Sequence, residues 1–188
     1  MFVAEEWFFD RIDSGQTIRL QERAMHPYYD KLRGLSEEVQ VTLTLTVSYE
    51  QSTGEDESFQ TNAQIPFLPA DYWAGEGRQP DLLAAFVQPN TTAVEHLTVK
   101  VAQLLRKSNK GSAVDGYQSN TRERPYLFGS ALWSVLFNER LVYVSPPVGW
   151  ADSGQRIRSA TDILKNKMGA CLDTSVLFAS CLENMGLN

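Results

Sequence analysis

The 188-residue sequence predicts an α+β chain, with a small antiparallel β-sandwich first and a mostly helical part after it. Three stretches carry that prediction. From Val39 to Glu50, VQVTLTLTVSYE alternates apolar and polar residues without a break, the period of a half-buried antiparallel strand. In TTAVEHLTVKVAQLL the apolar residues recur at helical spacing. Near the end, KMGACLDTSVLFASCLENMGL is one long apolar run that closes on Gly186 and Leu187.

The strand comes first. Val39, Val41, Leu43, Leu45, Val47 and Tyr49 share one face, and QSTGEDES supplies turn chemistry after them. SFQTNAQI returns with Phe59, Ala63 and Ile65 at alternate positions, and TIRLQE from Thr17 reads as a weaker third strand. The expected domain covers residues 1–74 and serves packing or spacing. Pro66, Pro69, Gly75, Gly77 and Pro80 punctuate its end.

The second domain is expected over residues 80–188. Thr92 and Glu95 are spaced as a capping box before the stripe Val94, Leu97, Val101, Leu104 and Leu105. Lys107 and Lys110 suit that helix's negative end, and Gly111 can stop it. A second helix is expected over 127–140, and then a short extended LVYVSPP halted by Pro146 and Pro147. Thr161 to Lys167 reads as a short helix closed by Gly169. The last helix opens at Cys171 and ends at Gly186, with Leu187 placed for the apolar contact of a glycine C-cap. Trp133 and Trp150 read as core residues.

Composition narrows the function classes. Four Trp and nine Phe argue for a packed core, and a net charge of -6 offers no basic footprint for nucleic acid. No apolar run reaches membrane-spanning length, and the N-terminus lacks the order of a signal peptide. The only cysteines are Cys171 and Cys181. On one helix they stand about 15 Å apart, beyond the roughly 7 Å limit for bridging. Two free thiols fit a cytoplasmic setting.

Cys171 invites two readings. Amide donors and the positive dipole end at a helix start lower a thiol's pKa, and the same amides can receive an oxyanion. Equally, a free cysteine serves as a small apolar filler, which is the reading for Cys181. A thiol nucleophile needs a base, and the chain holds only His26 and His96. His26, before Pro27, reads as a turn residue. His96 flanks the helical stripe and reads as packed or hydrogen-bonded, so neither makes a persuasive partner.

These residues resemble a known family. GQRIRSATDILKNKMGACLDTSVLFASCLENMGL is similar to the region around the active-site helix of transglutaminase-like proteins, with its Gly-x-Cys-x-Asp start and Gly-Leu exit. FLPADYWAGEGRQPDLLAAFVQPN, VDGYQ and YVSPPVGW extend the resemblance to one subgroup, large bacterial proteins carrying such a segment ahead of a superfamily-one helicase. It spans about Val39 to Leu187.

The resemblance implies an immunoglobulin-like sandwich followed by an incomplete transglutaminase-like domain of papain-like fold. Cys171 matches the nucleophile. The family's His and Asp lie on strands after the cysteine helix and have no counterpart before Asn188. The implied partner is therefore the remainder of a longer polypeptide, including its helicase region, with a protein substrate and no cofactor or metal. Gln155, Arg156 and Arg158 match positions able to orient a substrate or oxyanion, or else act as loop-fixing polar residues. Tyr117 and Gln118 line a cleft or bond within a loop. Asp173 falls in the first helical turn, where a carboxylate stabilises the dipole without chemistry.

Three functions follow from this reading. The first is a thiol enzyme acting on amide bonds, which requires an exposed Cys171. The second is a non-catalytic interaction or spacer module of a helicase-bearing parent, which requires a buried one. The third, a stand-alone nucleic-acid binder, is disfavoured by charge.

Overall fold

The computed structural model describes residues 2–19, 26–75, 80–111, 113–114, 117–118, 120–149 and 154–187. The described chain mixes helix with small two-stranded sheets, closes no barrel, and divides into two compact units after Ala70. No described helix is long and apolar enough to cross a membrane.

The first unit is built on one hairpin. Strands β1 (Val39–Glu50) and β2 (Asp56–Phe67) pair antiparallel in continuous register from Val39 opposite Phe67 to Glu50 opposite Asp56. The alternation puts Val39, Val41, Leu43, Leu45, Val47 and Tyr49 on one face, opposite Phe67, Ile65, Ala63, Thr61, Phe59 and Glu57. The other face is polar throughout, from Gln40 to Glu50. Gly54, at φ 81°, closes the turn through bonds between Gln51 and Glu55 and from Gly54 to Gln51. Pro66 does not end β2, because a strand at a sheet edge tolerates a missing N–H.

One expectation changes here. Thr17–Arg19 form no strand. They leave a tight turn at Asp13–Gln16 and find no ladder partner among the described residues, while 20–25 lie outside those residues. Among its described residues the first unit holds this one two-stranded sheet, and Leu43, Leu45 and Val47 are each about two-fifths exposed. The Phe2 ring, 5.3 Å from that of Phe67, meets one end, where Phe2 bridges Pro27. A helical turn unseen in the sequence, α1 (Tyr29–Arg33), follows.

The second unit holds the large core. After β3 (Tyr72–Trp73) and a 3₁₀ helix (Pro80–Phe86) come α2 (Thr92–Lys107), α3 (Glu123–Asn138) and β4 (Val142–Tyr143). Strand β5 (Gln155–Arg156), α4 (Ala160–Asn166), β6 (Met168–Gly169) and α5 (Cys171–Asn184) complete it. Strands β3 and β5 pair antiparallel, β4 and β6 parallel. Val94, Leu97, Val101 and Leu105 of α2 meet Phe128, Ala131, Leu132 and Val135 of α3, then Ile163 of α4 and Leu177 and Cys181 of α5. Full burial of such side chains contributes roughly 1.5–3 kcal/mol each.

Helix ends depart from expectation for local reasons. The capping box at Thr92 does not form. Thr91 is the N-cap of α2, which places Thr92 inside the helix and Val94 in the core. Asn109, at φ 55°, makes the left-handed turn, with Asn109 N–H on Arg106 and Lys110 N–H on Leu105, so the chain turns before Gly111. Helix α3 begins four residues early, because Pro125 falls in its first turn, where no amide hydrogen is required. Trp133, expected in the core, is 68% exposed on that helix, and Trp150 lies outside the described residues. Lys167, at φ 54°, closes α4 in place of Gly169. The C-terminus of α5 follows the expectation: Gly186 is at φ 79°, Leu187 N–H bonds Leu182, and Leu187 is buried.

Candidate functional site

The site begins where β6 hands the chain to α5. Gly169 lies so close to the helix that a Cβ there would touch the Asp173 Cβ and the Thr174 Cγ2, each at 3.4 Å. Ala170 is the N-cap and has no side-chain acceptor to offer. Cys171 is therefore the first residue of a 14-residue helix whose leading amides no N-cap side chain covers. Its thiol is exposed.

One carboxylate fixes this turn. Asp173, fully buried, accepts Ala170 N–H at 2.8 Å, Arg158 N–H at 2.8 Å and the Arg158 guanidinium at 2.7 Å. On the other side Thr174 donates its hydroxyl to the carbonyls of Ala170 and Cys171. The sequence offered Asp173 only as a dipole partner. Its bond to Arg158 joins two segments 15 residues apart, which spacing alone does not reveal.

Strand β5 runs alongside. Arg156 turns outward to Asp71 at 2.5 Å, so it acts as a strand clamp away from the thiol. Gln155 and Ile157 alternate to the buried face. Ile157 packs with Trp73 and Val176, beside Leu172, in a small second core that borders the head of α5. Gln155 shares that face at 2% exposure, and its Nε2 donor has no hydrogen-bond partner among the described residues. Gly154 permits the approach: a Cβ there would overlap the Trp73 carbonyl and the Ala74 backbone.

Searched against protein-family models, curated proteins and solved structures, the chain finds no match.

The other expected residues lie apart. Tyr117 and Gln118 line a groove with Val114, Asn184, Met185 and Gly186. That is the far end of α5, about 20 Å along the axis from Cys171. His96 is exposed on α2 in a groove with Gln103, Leu164 and Lys167. His26 belongs to the first unit, its Nδ1 3.4 Å from Glu5. Cys181 is fully buried, and desolvation pushes its thiol up to about 12.

FVQPN, quoted above for its resemblance, docks on α5. Gln88 N–H bonds the Ser180 hydroxyl, Asn184 donates to the Pro89 carbonyl, and the Thr98 hydroxyl donates to Asn184. The first two bonds hold the loop on the polar stripe of an otherwise apolar helix, and the third ties α2 to the same Asn184. Among the described residues no group of three acidic, histidine or cysteine side chains is placed to hold a metal ion.

Proposed function

We propose that Cys171 is the nucleophile of a thiol acyl-transfer site of transglutaminase-like or cysteine-peptidase-like type. The observation that carries the reading is an exposed sulfur at the first residue of α5, whose N-cap side chain covers none of the leading amides. The buried Gln155 Nε2, without a hydrogen-bond partner among the described residues, supports it.

On this reading the thiolate attacks the carbonyl carbon of an amide and a sulfur–carbon bond forms. The oxyanion is met by the helix amides, with Gln155 as a further donor. The carbon–nitrogen bond then breaks, the amine leaves with the proton, and water or another amine resolves the thioester. The base that carries the proton comes from residues other than His26 and His96. The described chain thus holds the nucleophile half of the site and does not turn over alone. The resemblance supplies the wider setting: a large cytoplasmic bacterial helicase protein, its hairpin unit one layer of an immunoglobulin-like sandwich.

Differential alkylation tests the thiol. Iodoacetamide labelling at pH 7, mapped by peptide, is expected to modify Cys171 at least about tenfold faster than the cysteine of an unstructured peptide, and Cys181 far more slowly. A Cys171 rate no faster than that peptide's overturns the reading.

A second reading has its own observation. Tyr126, Trp133 and Phe137 lie at helical spacing along α3 and are each more than two-thirds exposed, a pattern that suits an interaction module. On that reading Cys171→Ala changes nothing measurable, and Trp133→Ala abolishes partner capture.

A further inference from the structure

Resting on the interaction reading of α3 and naming its partner, we propose that this face is a self-pairing seam. Its occupant is a second copy of this chain, with the two α3 helices antiparallel about a two-fold axis.

The face runs Glu123, Tyr126, Ser130, Trp133, Phe137 and, just past the helix end, Arg140. Steps of three and four residues keep one side of a helix, and all six residues are exposed. From Pro125 to Asn138 the chain carries no charged residue. The outer side of a helix in solvent is ordinarily charged or polar, yet here Tyr126, Trp133 and Phe137 are 76%, 68% and 75% exposed. Ser134 turns its hydroxyl back onto the Ser130 carbonyl, which removes one more polar group from the surface. Gly129 is an independent sign. Glycine weakens a helix interior, and a Cβ there would meet nothing within 4 Å outside its own helix. No packing within this chain calls for it, and with Ser130 it leaves a hollow that opens outward.

The order of these residues complements its own reverse. In an antiparallel pair centred on the turn between Ser130 and Trp133, Tyr126 lies opposite Phe137, Ser130 opposite Trp133, and Glu123 opposite Arg140, each twice. Each indole enters the hollow of Gly129 and Ser130 on the other copy, each Tyr126 ring meets a Phe137 ring, and a carboxylate faces a guanidinium at both ends. A parallel pair would set Glu123 against Glu123 and Trp133 against Trp133. Six aromatic side chains of roughly 150 Å² apiece remove about 900 Å² from water, the size of a small, reversible interface.

Sedimentation equilibrium of the full chain, from about 1 to about 200 µM, reads the pairing, with a dimer midpoint expected on the order of tens of micromolar. Trp133→Ala should raise that midpoint at least about tenfold. Gly129→Leu fills the hollow while favouring the helix, so it should weaken the dimer without unfolding the chain. Glu123→Lys and Arg140→Glu should each raise the midpoint by about threefold or more, by setting like charges together at both ends. An equimolar mixture of those two variants should recover the parent value, because each lysine then meets a glutamate and each remaining arginine the remaining glutamate. Loss in Trp133→Ala without recovery in the mixture means a different register and overturns the antiparallel seam. A chain that stays monomeric throughout overturns self-pairing, as does a dimer that Trp133→Ala leaves unchanged. In either case the interaction reading stands only if Trp133→Ala abolishes capture of another protein, and it falls with the seam if capture is unaffected.

Discussion

The hairpin of the first unit and α2 of the second carry apolar faces of similar composition, and the structure treats them oppositely. Leu43, Leu45 and Val47 each keep about two-fifths of their surface, whereas Val94, Leu97 and Val101 keep none. Both faces follow directly from periodicity, 2 in one case and 3.6 in the other. Periodicity states which residues share a side. It does not state what lies against that side. For α2 the answer is α3, α4 and α5 together with the Leu187 cap; the hairpin meets the Phe2 ring at one end.

Truncating each face gives the largest expected effects. Leu97→Ala removes a fully buried side chain from the meeting of α2, α3 and α5, and should cost roughly 3 kcal/mol in urea unfolding. Leu43→Ala, already 42% exposed, should cost less than about 1 kcal/mol. Equal costs would break the comparison, because they would mean that the hairpin face is covered in solution.

A smaller effect is expected at the polar cap of α4. Ser159 caps α4 by accepting Asp162 N–H at 3.1 Å while its hydroxyl donates to the Asp162 carboxylate. Ser159→Ala should lower stability by about 1 kcal/mol. Since α4 brings Ile163 into the core and leads the chain to Cys171, the loss should also raise Cys181 labelling. An unchanged urea midpoint would show that packing alone fixes that short helix.

The same contrast explains what the sequence made legible. The long strand β1, the α2 stripe, the opening of α5 at Cys171 and its Gly186–Leu187 exit all depend on neighbours a few residues away, and all were readable. The start of α3 lies before the apolar run that opens at Leu127, because Pro125 suits a first turn. Trp133 is apolar enough for a core, yet its side of α3 faces outward, and residue type does not state which side that is. At the site, the burial of Cys181 followed from its place in the middle of one helix, whereas the head of that helix left Cys171 open between an exposed thiol and an apolar filler. The Arg158–Asp173 bond, the burial of Gln155 behind Trp73 and the docking of Gln88 and Pro89 on α5 did not follow. Each joins segments that only the tertiary fold brings together, and side-chain type alone sets no such distance.

The smallest effect concerns charge, and again the two units differ. Glu139 caps the end of α3 and accepts from Lys100 and Lys167, each at 2.5 Å, with its own side chain 12% exposed. The bond from Lys100, then that from Lys167, holds its carboxyl below the usual range against an opposing contribution from burial. A carboxyl depressed in the folded state adds stability that is present above its unfolded value of about 4.3 and is lost as pH falls through the folded value. Glu139→Gln should therefore lower the unfolding free energy in urea at pH 7 by a few tenths of a kcal/mol to about 1 kcal/mol, and the gap from the parent should narrow at acid pH, below about 4.3. The hairpin has a counterpart in Glu57, lowered by the hydroxyl of Tyr49 across the strands and standing wholly in solvent. Glu57→Gln should leave the midpoint unchanged at both pH values. A Glu139 gap that persists in acid would mean that Glu139→Gln acts by disturbing the packing where α2, α3 and α4 meet. The charge of Glu139 would then contribute as little as that of Glu57.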